Sequence, residues 1–318
     1  MAATTVPEVV LHSSYGQRKM PVMGLGTAPE ATSTVTTKDA VLEAIKQGYR
    51  HFDAASAYGV EQSVGEAIAA ALKLGLIASR DDLFITSKLW VTDNHPETIV
   101  PALQKSLRTL QLEYLDLFLI HWPIATKPGK VVYPIEVSEI VEFDMKGVWG
   151  SMEECQRLGL TKAIGVSNFS IKKLEKLLDF ATIPPAVNQV EVNLGWQQEK
   201  LRDFCKAKGI TITAFSPLRK GASRGTNFVM DNDVLKELAD THGKTVAQIC
   251  LRWIYEQGLT FVVKSYDKER MKQNLGIFDW SLTEDDYKKI SEIYQERLIK
   301  GPTKPLLDDL WDDEREVS

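Results

Sequence analysis

A chain of 318 residues, 44% hydrophobic and 25% charged, with a formal net charge of −5, has the composition of a soluble globular protein long enough to bury a substantial core. The mild acidity provides no basic stripe for nucleic acid, and no apolar run reaches the roughly 18 residues that a membrane-spanning helix needs, so neither nucleic acid nor membrane is an expected partner. Cys155, Cys205 and Cys250 are odd in number, far apart and in helix-like or apolar surroundings, and the opening MAATTVPEVV lacks a charged-then-apolar leader; the expectation is a cytoplasmic monomer with reduced, buried thiols.

In chain order, residues 7 to 20 predict an N-terminal hairpin. Eight short apolar runs follow at nearly regular intervals: PVMGLGT (21–27), YRHFDAA (49–55), LFITSKLW (83–90), LDLFLIHW (115–122), AIGVSN (163–168), VNQVEVN (187–193), TITAFSP (211–217) and TFVVKSY (260–266). LDLFLI is apolar on both faces, as a strand covered by helices must be. Helical patterns fill the gaps. Val41, Leu42 and Ile45 share a face, with Gly48 where a left-handed helix end favours glycine, and Val64, Ile68 and Leu72 recur at i, i+4. LTEDDYKKISEI, opened by Thr283 with Asp286 three residues later, predicts an extra C-terminal helix. With no Pro/Ser/Gly-rich linker, the eight strand–helix units predict one α/β domain over residues 1–318, a (β/α)8 TIM barrel with long substrate loops at 123–147, 218–228 and 296–318. A doubly wound open sheet is the structural alternative.

Chemistry in such a barrel sits at the C-terminal ends of the strands. Polar residues interrupt the pattern there: Asp53, Lys88, His121, Ser167, Asn168, Gln189, Ser216, Lys264 and Ser265. Singly, each has a structural reading as a cap, a snorkelling lysine or a packed histidine; their common end argues for a site. Tyr58 with Asp53, Lys88 and His121 makes a proton-donating set. The Lys88 ammonium stabilises the phenolate and lowers the tyrosine pKa, Asp53 keeps Lys88 charged, and His121 donates to the oxygen where negative charge develops. That set protonates a carbonyl oxygen and needs a hydride donor. GLGTAP (24–29) is no GxGxxG fingerprint, which disfavours a Rossmann site. KSYDKERMKQN (264–274) gathers Lys264, Ser265 and Arg270 at a helix start that Asp267 can cap, a phosphate site that favours NADPH over NADH. Trp90, Trp122 and Phe215 end strands and are candidate walls for a flat, apolar substrate, packing being the alternative. A Schiff-base lysine is disfavoured by its carboxylate partner, and an NADPH-holding sensor is disfavoured by an intact proton-donating set.

GYRHFDAASAYGVEQSVG (48–65), LTKAIGVSNF (160–169) and VVKSYDKER (262–270) resemble, in order and spacing, three signatures of the aldo-keto reductases, and the resemblance covers essentially the whole chain. It implies an NADPH-dependent reductase of a small-molecule carbonyl, with Asp53, Tyr58, Lys88 and His121 catalytic and Tyr58 the acid. It further implies Thr27, Ser167, Asn168, Gln189 and Phe215 around the nicotinamide, and Ser216 and Leu218 at the pyrophosphate. Lys264, Ser265, Arg270 and Asn274 would hold the adenosine end and its 2′-phosphate, and no metal is expected. Phe215, Ala28 and Val263 stand where many members have tyrosine, tryptophan and proline, which implies an altered or enlarged pocket. SKLWVTDNHPE, HWPIATKPGK, SPLRKGASRG and GPTKPLLDDLWDD resemble the family's plant branch. They imply reduction of a carbonyl in a polyketide intermediate of chalcone synthase, with transient association with that synthase, or of another ketone or aldehyde such as an alkaloid ketone.

Overall fold

The computed structural model describes residues 5–11, 17–29, 33–129, 133–219, 228–307 and 309–312. All eight predicted apolar runs are strands: β1 (Met23–Gly26), β2 (His51–Asp53), β3 (Phe84–Leu89), β4 (Leu115–Ile120), β5 (Thr161–Ser167), β6 (Val187–Glu191), β7 (Thr211–Phe215) and β8 (Thr260–Val263). They are parallel and pair in sequence order. β8 then returns to β1, with Phe261 opposite Met23 and Val263 opposite Leu25, so the sheet is a closed barrel and the open-sheet alternative is excluded. The register sets Gly26 beside Asp53, Lys88 beside Leu119 and Ser167 beside Gln189.

The helices are α1 (Thr37–Gln47), α2 (Glu61–Lys73), α3 (Ile99–Leu110), α4 (Met145–Arg157), α5 (Ile171–Leu178), α6 (Glu199–Ala207), α7 (Asp233–His242), α8 (Val246–Glu256), α9 (Lys268–Leu275) and α10 (Glu284–Ser291). α1 starts where the Thr36 side chain accepts from Asp39 N and ends at Gly48, φ 105°, as its glycine predicted. α10 carries the predicted capping box between Thr283 and Asp286. One face differs from expectation. In α2, Val64 and Ile68 are buried but Leu72 is exposed and Ala71 takes the inward place, because seven residues close two turns within about 20° whereas eight overshoot by about 80°.

The predicted hairpin pairs Glu8–Leu11 antiparallel with Arg18–Pro21; residues 12–16 of that reading lie outside the described residues. Leu11 and Met20 pack with Phe84, Leu117, Leu119 and Ala163 and close the N-terminal end of the barrel. Asp116 lies within the otherwise apolar β4 and is fully buried, yet satisfied: Arg18 and Arg80 pair with it, and Ile85 N donates to it at 2.7 Å. The larger core fills the layer between strands and helices, where each fully buried Leu, Ile or Phe contributes roughly 1.5–3 kcal/mol. The three cysteines are free and buried, and burial pushes the Cys155 and Cys250 thiols up to about 12. Among the described residues no helix is long and apolar enough to cross a membrane.

Candidate active site

The barrel brings the polar strand ends to one mouth. Asp53 is the last residue of β2, and the chain then makes a short helical turn, Ser56–Tyr58, which Ser56 fixes by donating its hydroxyl to Lys88 O at 3.0 Å. Lys88, inside β3 and buried, reaches across: its Nζ donates to Asp53 Oδ1 at 2.5 Å and Ala54 O at 2.9 Å, and lies 5.1 Å from the centre of the Tyr58 ring. The second carboxylate oxygen of Asp53 accepts from Gln189 Nε2 at 2.8 Å. His121 follows β4, with its ring edge-on to Tyr58 at a centroid separation of 5.6 Å and to Trp90 at 5.3 Å.

Burial and charge decide the protonation states. Burial pulls the Lys88 pKa down, but Asp53 and Tyr58 pull it up by more, so it lies above the ordinary lysine value and the ammonium is kept. Burial pushes the Tyr58 phenol up. Lys88 opposes that, in the direction expected from sequence, without cancelling it, and the phenol lies above rather than below its ordinary value. The expectation of a lowered tyrosine pKa is therefore corrected: removal from water outweighs one ammonium. His121 is pushed well below its ordinary value, first by burial and then by Lys88, so its imidazole is neutral at pH 7.

Tyr58 and His121 open onto a cavity of about 310 Å³ whose walls include Thr27, Ser167, Asn168, Gln189, Phe215, Ser216, Leu218 and Trp122. Leu218 and Lys264 also belong to a neighbouring groove of about 600 Å³, with Ser265, Arg270 and Asn274 along it. Cavity and groove therefore adjoin at Leu218 and Lys264 and lead from Tyr58 and His121 to Arg270 and Asn274. Asn168 supplies the sharpest test of fit. Its Nδ2 donates to His121 O at 2.9 Å and Ser167 Oγ at 3.1 Å, while its buried Oδ1 has no partner among the described residues and can accept from a carboxamide. At the far end Asp267 caps α9 by accepting from Arg270 N at 2.9 Å, which presents a helix N-terminus beside Lys264 and Arg270, a setting that suits a phosphate. The residues present fit a phosphorylated nicotinamide dinucleotide.

Some assigned residues sit differently from a simple ligand contact. Trp90 is half-buried and meets the His121 ring edge-on at 5.3 Å. Asn274 is buried, the Tyr49 hydroxyl donates to Met271 O on the same helix at 2.9 Å, and the Ser265 hydroxyl holds the turn at Asp267. Ala28 and Val263 line the cavity, as their departures from the usual bulkier or stiffer residues imply. Of the substrate loops, residues 130–132, 220–227, 308 and 313–318 lie outside the described residues.

Three residues that sequence reasoning passed over are part of the site. Glu191, 1% exposed at the end of β6, accepts from Leu298 N at 3.2 Å, Ile299 N at 2.8 Å and Asn193 Nδ2 at 3.1 Å. It thereby pins the C-terminal segment over the barrel mouth, and Ile299 becomes a cavity wall. Arg219 is another wall. A carboxylate ending an apolar strand was a readable signal for Glu191; nothing local marks Ile299. Beside Ile299, Trp311 meets Trp122 edge-on at 5.9 Å, and Arg297 lies 3.8 Å above the Trp311 ring.

A phenol acid, a buried ammonium–carboxylate pair and a neutral imidazole at the C-terminal mouth of a closed barrel, beside a cavity that adjoins a groove lined by Lys264 and Arg270, define an oxidoreductase acting on carbonyl groups. Residues 22–295 match the Aldo/keto reductase family, and the chain belongs to it. It is 67% identical over 313 residues to the NAD(P)H-dependent 6'-deoxychalcone synthase of Glycine max, spanning 98% of this chain and 99% of that protein. Over 304 residues it is 54% identical to deoxymugineic acid synthase 1-A of Triticum aestivum, covering 93% and 96%. The crystal structure of a Bombyx mori aldo-keto reductase in complex with NADP superposes with a TM-score of 0.83 at 37% identity, covering 93% of this chain and 96% of that one.

Proposed function

We propose that this protein is an NADPH-dependent carbonyl reductase of plant specialised metabolism that reduces a polyketide intermediate of chalcone synthase, so that a 6′-deoxychalcone forms after cyclisation and loss of water. The observation that carries the substrate is the 67% identity, end to end, with the deoxychalcone synthase of Glycine max. The geometry supports the chemistry. NADPH, when bound along the cavity and groove, supplies hydride to the carbonyl carbon. Tyr58 gives its phenolic proton to the carbonyl oxygen. At neutral pH the phenol is protonated, and the Lys88 ammonium beside it stabilises the phenolate as it forms. Asp53 holds Lys88 in place and charged, and the neutral His121 offers an N–H to the same carbonyl oxygen. Asn168, Ser167 and Gln189 orient the nicotinamide amide; Lys264 and Arg270 neutralise the 2′-phosphate. The reading includes work in the cytoplasm, where the NADPH pool favours reduction, and a transient encounter with the synthase.

The experiment is a coupled incubation with chalcone synthase, coumaroyl-CoA, malonyl-CoA and NADPH, with products resolved by mass. A chalcone lighter by one oxygen is the expected product. Only the hydroxychalcone, from protein that still oxidises NADPH with a simple aldehyde, would assign the enzyme to another plant ketone or aldehyde.

A further inference from the structure

Arg219 follows β7 and is 4% exposed in the wall of the cavity that holds Tyr58 and His121. Its backbone φ is +46°, in the left-handed region that glycine enters freely and residues with side chains avoid. An arginine kept there is held by its side chain. Nη1 donates to Gly195 O at 2.9 Å, Nη2 lies 3.6 Å from the Glu296 carboxylate, and the guanidinium lies 5.0 Å above the Phe228 ring. Gly195 permits this approach, since a Cβ there would meet Nη1 at 2.5 Å. The third nitrogen, Nε, is buried and has no hydrogen-bond partner among the described residues.

The charge is also incompletely balanced. The Glu296 side chain is 54% exposed and remains hydrated, so it neutralises the buried guanidinium only in part. A clamped, planar cation with an unused N–H in a cavity wall is a preorganised receptor for an anionic oxygen. We propose that Arg219 binds such an oxygen on a molecule in the cavity: a carboxylate or enolate of the substrate, or a diphosphate oxygen of the dinucleotide. Its neighbours favour the substrate. Gly195 O also accepts from Glu296 N at 2.7 Å, which joins Arg219 to the C-terminal segment that carries Ile299 into the same cavity. Arg219 is absent from the walls of the groove with Lys264 and Arg270. The proposal rests on the carbonyl-reductase reading for its turnover assay alone.

The test compares wild type with Arg219→Gly, which suits a positive φ and removes the guanidinium, and Arg219→Lys, which keeps a charge but not the planar donor. Dissociation constants for NADPH, an aryl ketone carboxylate and its methyl ester are read from tryptophan fluorescence, and KM from NADPH oxidation. Arg219→Gly is expected to weaken the carboxylate at least tenfold with little change for the ester or NADPH, and Arg219→Lys to recover part of the loss. A tenfold loss for NADPH, with both ketones moved equally, assigns the anion to the dinucleotide. Equal, small changes in all three ligands would make Arg219 a strut of the roof and overturn the proposal. Selective binding shifts without any turnover in wild type would sink the reductase reading and leave the anion site standing.

Discussion

Gln189 donates its amide to one oxygen of Asp53 at 2.8 Å while Lys88 occupies the other at 2.5 Å. The residue proposed to hold the nicotinamide amide is thus bonded to the carboxylate that keeps the catalytic ammonium in place, and both oxygens of Asp53 are engaged. Lys88→Met breaks a buried pair and leaves Asp53 with Gln189 alone. The expected loss of stability is about 3–5 kcal/mol, as when one partner of a buried pair is removed, together with loss of reductase activity. A denaturant melt of Lys88→Met that overlays wild type would refute this account of the pair.

Tyr58→Phe removes the proton donor and little else. Turnover is expected to fall by roughly 10²–10⁴, the range of a general acid, with NADPH affinity unchanged by fluorescence titration. The pH profile carries the sign. An acid must be protonated to act, and burial raises the Tyr58 pKa above its ordinary value of 10.0, so reduction should hold through neutrality and decline only in strongly alkaline solution. A fall in kcat/KM centred near pH 8 would show a lowered tyrosine instead.

Arg270 and Lys264 line the groove beyond Leu218, at the capped start of α9. Arg270→Ala is expected to weaken NADPH by about ten- to a hundredfold, equivalent to the 1.5–3 kcal/mol of a hydrogen bond to a charged group, and NADH far less. Equal losses for both cofactors would refute a 2′-phosphate contact.

Glu191 holds the backbone of Leu298 and Ile299. Glu191→Ala leaves those half-buried donors unpaired, at a cost of up to about 1 kcal/mol each, and loosens a wall of the cavity. Bulky ketones should show a raised KM, with NADPH affinity and turnover of a small aldehyde retained and Glu191→Gln intermediate. If bulky and small substrates lose alike, Glu191 supports the barrel and not the wall.

His51 is buried in the barrel between Pro21 O and Thr86 Oγ1, and burial, opposed in part by Asp53, lowers its pKa to about 4. Between that value and about 6.5 the unfolded chain binds a proton that the folded one refuses, so stability falls as pH drops through this window, by up to about 1.4 kcal/mol per pH unit. His51→Gln should flatten that part of a stability–pH curve, and an unchanged slope would assign it to other groups.

Much of this molecule is legible without coordinates because its signals are local. The alternation of apolar runs with helical faces, the threonine ahead of α10 and Gly48 after α1 each express a backbone rule within a few residues, and the polar strand ends from Asp53 to Lys264 identify the mouth once the barrel is inferred. Leu72 shows the limit of i, i+4 spacing taken alone, since two such steps overshoot two turns by about 80° and carry it off the buried face, where Ala71 stands instead.

Other properties depend on what lies across space. The direction of the Tyr58 shift depends on how much water the walls exclude, which no motif encodes, and it reverses the expectation drawn from Lys88 alone. Glu191 meets Ile299 across 108 residues, and Arg219 is clamped by a glycine carbonyl, a phenyl ring and a glutamate from three separate segments. Chain order and residue type therefore carry the barrel and the identity of its reactive groups, because strands, caps and strand ends obey short-range geometry. The protonation states and the shape of the cavity belong to the folded molecule, because desolvation and long-range contacts exist only after the chain has closed on itself.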